Sequence, residues 1–291
     1  MNFGRLLTAM VTPFQDNGQI DYVSLKRLID HLIQHGTDSL VVCGTTGESP
    51  TLTKQEKDDL FRFVVDYVNQ RIPVIAGVGS FNTEESVQAT KRATTLGVDG
   101  IMAVVPYYNK PSQKGLIEHF SAIAASTDLP VMLYNVPART VVNMTSATVI
   151  ELAKVGNITS VKEASGDLEQ VAEIIEGTPD GFYVYSGDDS LTIPSLAIGA
   201  NGVVSVAAHV YGLEMKKMID AYFNGNVVEA AAMHRNLLPM MKAMFLAPSP
   251  TCVKYALSLK GIDVGSVRLP LVDIEPEIKS QLNELMNKAK F

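Results

Sequence analysis

Eight short apolar runs, rich in β-branched residues, alternate with amphipathic stretches along most of the chain. They are Leu6–Val11, Leu40–Cys43, Val74–Ala76, Ile101–Val105, Val131–Tyr134, Ile158–Lys162, Tyr183–Tyr185 and Gly202–Val206. Runs that are apolar throughout indicate strands buried on both faces, as in a parallel sheet. Eight such strands, each followed by a helix, are what a (β/α)8 barrel requires. The alternation therefore predicts an α/β protein with a (β/α)8 TIM-barrel fold.

Capping signals predict helices between these runs. Thr53 and Glu56 have the spacing of a capping box, in which each side chain bonds the backbone amide of the other residue. Thr83, followed by the acidic residues Glu84 and Glu85, predicts another helix start with Thr83 as the N-cap.

The pattern changes after about Asn224, where the strand runs cease. Helical spacing of apolar residues covers Val227–Leu246. A second helix is predicted at Ser249-Pro250, with the proline at its first position, and a third from Glu275. We therefore expect a catalytic barrel at residues 1–224 and a small C-terminal helical domain at residues 225–291.

The composition favours a small-molecule partner. The 291 residues are 46% hydrophobic, enough for one large core, and 24 basic against 31 acidic residues give a net charge of −7. A negative balance argues against nucleic acid or an anionic membrane surface as a partner. Pro194 and Gly199 interrupt the charge-free span Ser190–Leu213, so no membrane-spanning helix is expected there.

Cysteine and histidine usage points to a reduced, metal-free protein. Cys43 and Cys252 lie in apolar stretches without CxxC spacing and are predicted to be reduced core residues. His31 and His35 have helical spacing but no accompanying HExxH glutamate, so no metal site is expected. No signal peptide is evident at the N-terminus. A cytoplasmic location is predicted.

A lysine and a tyrosine close two consecutive strand runs. Lys162 ends one and Tyr134 ends the other, and a parallel barrel gathers such residues at the C-terminal ends of its strands. A lysine amine becomes nucleophilic when an apolar site desolvates it, which would suit amine chemistry on a carbonyl compound. The structural alternative is a solvated loop lysine, or an ion pair with Glu163.

Three further loops after predicted strands carry polar groups. The loop Gly44–Ser49 offers hydroxyls and backbone amides that suit a small carboxylate, although it could be a simple turn. Tyr107 and Tyr108 follow the fourth run, and exposed aromatic pairs also form subunit contacts. Arg139, five residues after Tyr134, suits bidentate binding of a substrate carboxylate, with an ordinary salt bridge as the alternative.

The chain closely resembles, nearly from end to end, the pyruvate-dependent Schiff-base lyase and aldolase superfamily, and within it the dihydrodipicolinate synthase family. The motifs that carry the resemblance are GTTGES at 44–49, PYYNKP at 106–111, YNVPART at 134–140, VKEASGD at 161–167 and YSGDD at 185–189. The first and fourth are superfamily features, and Arg139 beside Tyr134 favours the synthases over N-acetylneuraminate lyase. The resemblance implies a lyase that condenses pyruvate with L-aspartate 4-semialdehyde to give 4-hydroxy-tetrahydrodipicolinate, in lysine and diaminopimelate biosynthesis.

The resemblance also implies roles for particular residues. Lys162 would form an imine with pyruvate, and loss of a methyl proton would give an enamine that attacks the aldehyde. The implied catalytic residues are Lys162, Tyr134, Thr45 and Tyr108, and the implied substrate-binding residues are Thr46, Arg139, Gly187 and Val204. No cofactor or metal is implied, because the imine is itself the electron sink. The implied assembly is a homotetramer, a dimer of dimers, in which Tyr108 is donated across a dimer interface.

Three other functions stay open from the sequence. Gly77–Asn82 partly matches the GxGxxG of dinucleotide-binding oxidoreductases, but Asn82 replaces the third glycine and no ribose-binding acid follows. A barrel that binds without catalysis would be inert toward pyruvate. A sugar-acid aldolase or dehydratase, such as N-acetylneuraminate lyase, shares the imine machinery and takes a different second substrate.

The resemblance bears on feedback by lysine, which inhibits some family members through a cleft near the loop that follows GTTGES. Lysine-sensitive relatives have histidines and an asparagine where this chain has Lys54, Lys57 and Phe81, while Ser49, Glu85 and Tyr107 stay compatible. Two ammonium groups would repel cationic lysine. Weak or absent inhibition is therefore expected.

Overall fold

The computed structural model describes residues 2–288 and contains a closed barrel of eight parallel strands. They are β1 (Leu6–Ala9), β2 (Ser39–Val42), β3 (Val74–Gly77), β4 (Gly100–Val104), β5 (Val131–Asn135), β6 (Ile158–Glu163), β7 (Tyr183–Ser186) and β8 (Gly202–Ser205). Each predicted run forms one strand, and the TIM-barrel fold is confirmed.

Helices surround the barrel. They are α1 (Tyr22–Gln34), α2 (Lys54–Val68), α3 (Thr83–Thr95), α4 (Gln113–Ala124), α5 (Pro137–Thr140), α6 (Ser146–Leu152), α7 (Leu168–Gly177), α8 (Thr192–Ala197) and α9 (Ala208–Phe223). The C-terminal part of the chain forms α10 (Val227–Ala243), α11 (Thr251–Leu259) and α12 (Pro276–Lys288). Within residues 2–288, none of these helices is both long and apolar enough to cross a membrane.

The predicted capping box is confirmed, whereas the N-cap predicted for α3 is wrong. The Glu56 carboxylate accepts the Thr53 backbone N–H at 2.8 Å, and Thr53 Oγ1 accepts the Glu56 N–H at 3.2 Å. The N-cap of α3 is Asn82, whose side-chain oxygen accepts the Glu85 N–H at 3.2 Å. Asparagine caps at least as well as threonine, so Thr83 becomes the first helical residue.

The C-terminal helices pack against the barrel and share its outer core. Met240, Met241 and Met244 are buried there, as expected for packing at helical spacing. Pro250 is the N-cap of α11, so the prediction that it occupies the first helical position is wrong by one residue. The division into domains at residues 224 and 225 falls between α9 and α10 and stays a prediction.

The strands separate two apolar layers. Leu7, Val41, Tyr134 and Val204 belong to the cluster that fills the barrel interior, whereas neighbouring strand residues face the helices. Cys43 and Cys252 are buried and unpaired, which agrees with the prediction of reduced core cysteines.

The barrel closes where β8 pairs with β1. Leu7 is the register partner of Val204, so both strands contribute to the interior at the same level. The backbones approach closely at Gly202, where an added Cβ would lie 2.0 Å from the Arg5 carbonyl oxygen. Closure therefore depends on glycine at this position.

Gly202→Ala should lower the free energy of unfolding by about 2 kcal/mol or more, because the methyl group and the Arg5 carbonyl cannot both keep their positions. Urea denaturation followed by circular dichroism measures the change. Gly156→Ala is the matched control, since a Cβ there would meet no atom within 4 Å. Equal midpoints for the two variants would contradict the closure argument.

Candidate active site

Lys162 and Tyr134 lie side by side at the C-terminal end of the barrel. Lys162 is 5% exposed, and its Nζ lies 4.2 Å from the centre of the Tyr134 ring. Strand pairing explains the contact, because Tyr134 on β5 and Tyr185 on β7 are the register partners of Lys162 on β6. The interior that surrounds this amine is otherwise mostly apolar, which supplies the desolvation that a nucleophilic lysine needs.

The neighbouring Glu163 takes no part in an ion pair with Lys162 among the residues described. Successive strand residues point to opposite faces, and the Glu163 carboxylate is bonded outside the barrel by Asn135 Nδ2 at 3.0 Å and Gln170 Nε2 at 3.1 Å. Burial raises the pKa of the Glu163 carboxyl, and hydrogen bonds from Asn135, Ser165 and Gln170 oppose that shift. The ion-pair interpretation of Lys162 is therefore wrong.

A cavity of about 340 Å³ opens above Lys162. Its walls include six of the residues predicted from the sequence: Thr45, Thr46, Tyr134, Arg139, Lys162 and Gly187. A second cavity, of about 430 Å³, shares Thr45, Tyr134 and Arg139 with the first and extends to Phe81 and Tyr107. We call this second cavity the Phe81 cleft.

Arg139 lies on α5, a short helix that begins directly after Val136 at the end of the β5 segment. The guanidinium borders both cavities and forms no ion pair within residues 2–288. The salt-bridge alternative for this residue finds no support in the structure, and the charge is available to a carboxylate in the cavity.

Two predicted residues do not line the cavity above Lys162. Tyr108 is 91% exposed and adopts φ +69°, with its side chain turned to the surface of this chain. Val204 is 1% exposed and belongs to the barrel interior, while Val206 lines the cavity in its place. A hydroxyl relay that includes Tyr108 is not formed within a single chain.

The opposite wall of the cavity was not predicted from the sequence. It comes from α10 and the segment after it, through Met241, Lys242, Phe245 and Ser249. Only the packing of α10 against the barrel brings these residues to the rim. In the described part of the chain, no three His, Cys, Asp or Glu side chains are grouped so as to hold a metal ion.

Fold and cavity together define the class of the protein: a (β/α)8-barrel enzyme whose site lies where the carboxyl ends of the strands meet. The sequence model of the dihydrodipicolinate synthetase family matches residues 2–289. The chain therefore belongs to the dihydrodipicolinate synthetase family.

Relatives match the chain over its whole length. It is 58% identical over 290 residues to 4-hydroxy-tetrahydrodipicolinate synthase 2 of Halalkalibacterium halodurans, covering 100% of this chain and 99% of the relative. The crystal structure of a dihydrodipicolinate synthase from Bacillus anthracis superposes with a TM-score of 0.99 at 52% identity, covering 100% of both chains. The synthase of Cyanidioschyzon merolae, solved with lysine bound, gives 0.97 at 49% identity, covering 99% of this chain and 98% of the relative.

Gly187 permits the close approach of β7 to the amine. An added Cβ would lie 2.6 Å from Ala164 Cβ and 3.2 Å from Lys162 Cε. Gly187→Ala should therefore displace the lysine side chain and lower kcat/KM by about 10²-fold, the usual cost of a misplaced reacting group. Steady-state kinetics measure the effect, with Gly156→Ala as the control. Wild-type kcat/KM in Gly187→Ala would show that Lys162 tolerates the added methyl group.

Proposed function

We propose that Lys162 forms a Schiff base with pyruvate and that this imine carries the reaction. The chain is a lyase that condenses pyruvate with L-aspartate 4-semialdehyde to give 4-hydroxy-tetrahydrodipicolinate, a step of lysine and diaminopimelate biosynthesis. The observation that carries the proposal is a 5% exposed amine that lies 4.2 Å from the Tyr134 ring and opens into the cavity.

The covalent steps follow from the chemistry of the imine. The Lys162 amine adds to the ketone carbon of pyruvate, and water leaves. The protonated imine accepts the electrons released when a methyl proton is lost, which gives an enamine. The enamine carbon attacks the aldehyde of the second substrate, and ring closure through the amine of that substrate displaces Lys162.

Hydroxyl groups near the amine suit the proton transfers. We assign this role to Tyr134, whose ring lies against Lys162, and to Thr45, which borders both cavities. Thr46, 5% exposed on the cavity wall, suits the pyruvate carboxylate together with the backbone around Val204. Arg139 suits the carboxylate of the semialdehyde, because its guanidinium has no protein carboxylate within the described residues.

Borohydride reduction should attach a stable three-carbon adduct to Lys162 when the protein is incubated with pyruvate, because reduction captures the imine. Peptide mass spectrometry locates the adduct. Lys162→Ala is the matched control and should take up no adduct while keeping its circular dichroism spectrum. An adduct on another lysine, or none in the folded wild-type protein, would overturn the mechanism.

The second substrate separates this function from that of the sugar-acid aldolases. The adduct would form in both cases, since both use pyruvate chemistry at the same lysine. Turnover with L-aspartate 4-semialdehyde but not with N-acetylneuraminate is therefore the measurement that distinguishes the two.

We also propose that Tyr108 completes the active site of a second subunit within a homotetramer, a dimer of dimers. Its side chain is 91% exposed in the single chain and lies outside the cavity above Lys162. The same loop is held to a neighbouring exposed aromatic residue, since Asn109 Nδ2 donates to the Phe81 carbonyl at 2.9 Å. Large exposed aromatic side chains are typical of subunit contacts.

Mixing two inactive variants tests the donation across the interface. A Tyr108→Phe chain retains Lys162, and a Lys162→Ala chain retains Tyr108, so a mixed dimer has one complete site if Tyr108 acts in trans. Random reassociation of equal amounts should restore about a quarter of wild-type activity. No recovery in reassociated protein, or full activity in a monomeric preparation by ultracentrifugation, would refute the role.

A cytoplasmic location is proposed as well, and the two buried, unpaired cysteines support a reducing compartment.

Lysine inhibition concerns the Phe81 cleft. Ser49, Lys57, Phe81, Glu85 and Tyr107 line it, and Lys54 lies in an adjoining cavity that also contains Lys57 and Glu85. Phe81 packs edge-on against Tyr107 with ring centres 5.3 Å apart. The cleft thus presents an ammonium group and an apolar ring to a ligand that is itself cationic.

Half-inhibition by L-lysine should require more than about 1 mM, which corresponds to binding weaker than about −4 kcal/mol. Initial rates at fixed pH and rising L-lysine measure it, with the Cyanidioschyzon merolae relative, solved with lysine bound, as the comparison enzyme. Lys57→Gln should lower the concentration needed, because one repulsive charge is removed. Inhibition of the wild type below that concentration would contradict the expectation.

A further inference from the structure

A buried ion pair joins the GTTGES loop to the C-terminal helices. Glu48 Oε1 lies 2.8 Å from Lys254 Nζ on α11, and the two side chains are 1% and 3% exposed. Lys254 also donates to the Ser266 carbonyl at 2.7 Å. Burial lowers the pKa of Lys254, and the charge of Glu48 opposes that shift. Neither group takes part in the chemistry described above.

The segment after α11 fastens the same loop from a second side. The Arg268 backbone N–H donates to Glu48 Oε2 at 2.9 Å. The Arg268 guanidinium bonds both carboxylate oxygens of Glu56 and donates to the carbonyls of Gly18 at 2.7 Å and Thr51 at 2.8 Å. Both oxygens of Glu48 are therefore engaged by residues far along the chain.

Glu48 transmits this restraint to the substrate-binding hydroxyls through a tight turn. Its backbone has φ +57°, a conformation that non-glycine residues hold where surrounding contacts enforce it. The Glu48 N–H donates to the Thr45 carbonyl at 3.0 Å. Thr45 and Thr46 both line the cavity above Lys162. A shift of the Glu48 carboxylate would thus move the residues that face pyruvate.

We propose that Glu48, Lys254 and Arg268 are positioning residues, through which the C-terminal helices hold Thr45 and Thr46 in the geometry that binds the pyruvate carboxylate. The inference rests on the proposed function, since it deepens the role assigned to Thr46. Lys162 stands on β6, and none of the hydrogen bonds or ion pairs named above involves that strand. Loss of the pair should weaken pyruvate binding more than the reactivity of the amine.

Lys254→Met tests the proposal through the pyruvate dependence of borohydride trapping. The half-saturating pyruvate concentration should rise by about 10-fold or more, because the carboxylate site is displaced. The trapping rate at saturating pyruvate should stay within about threefold of the wild type, because the amine keeps its place. A merely structural role would reduce the fraction of chains that form the adduct and leave half-saturation unchanged.

Lys216→Met is the matched control. It removes another lysine ion pair, to Asp38 at 3.3 Å, at the opposite end of the barrel, and half-saturation should not change. Glu48→Gln is the second variant in case Lys254→Met does not fold. It keeps an oxygen for the Arg268 N–H and removes the charge that faces Lys254, and it should also raise the half-saturating concentration.

The outcomes separate this inference from the function on which it rests. No adduct in the wild type would reject the Schiff-base function itself. A normal wild-type adduct, with unchanged half-saturation in a folded Lys254→Met or Glu48→Gln variant, would overturn only the positioning role. Failure of both variants to fold, while Lys216→Met folds, would also overturn it, because the pair would then serve the fold and not the loop.

Discussion

Closure of eight parallel strands decides which side chains share the barrel interior, and the active site depends on that constraint. Strand residues alternate between the interior and the helices, so a slip of one residue in β6 would exchange Lys162 with Glu163. In the observed register Tyr134 and Tyr185 flank Lys162 at the same level. The Lys162 amine is buried, near a phenol and at the floor of a cavity, because the sheet is closed in this register.

The C-terminal helices belong to the site as much as to the fold. Met241, Lys242 and Phe245 form a wall of the cavity, while Lys254 neutralises the buried charge of Glu48. Removing one partner of a buried ion pair typically costs about 3–5 kcal/mol, since the other charge is left unpaired in a low-dielectric interior. Such a pair is an accurate restraint on a loop, because neither charge can move to water without disrupting the packing around it.

The fold and much of the candidate site could be predicted from local patterns. Lys162, Tyr134, Thr45 and Arg139 each follow or end a strand, and strand ends converge in a parallel barrel, so their meeting needed only the strand count. Predictions that needed finer choices were less accurate: Asn82 caps α3 instead of Thr83, and Pro250 precedes α11. In both cases neighbouring residues compete for one position, and differences of a fraction of a kcal/mol in capping preference decide between them.

The sequence by itself determined the eight strands and the order of reactive residues along the rim, because hydrophobic period and strand-end placement are local properties of the chain. Only the tertiary structure decided that Glu163 turns away from Lys162 into a network with Asn135 and Gln170. It also decided that α10 completes the cavity and that Glu48 pairs with Lys254, 206 residues further along the chain. Contacts between such distant residues depend on how helices pack on the barrel, and no periodicity within either segment specifies that packing.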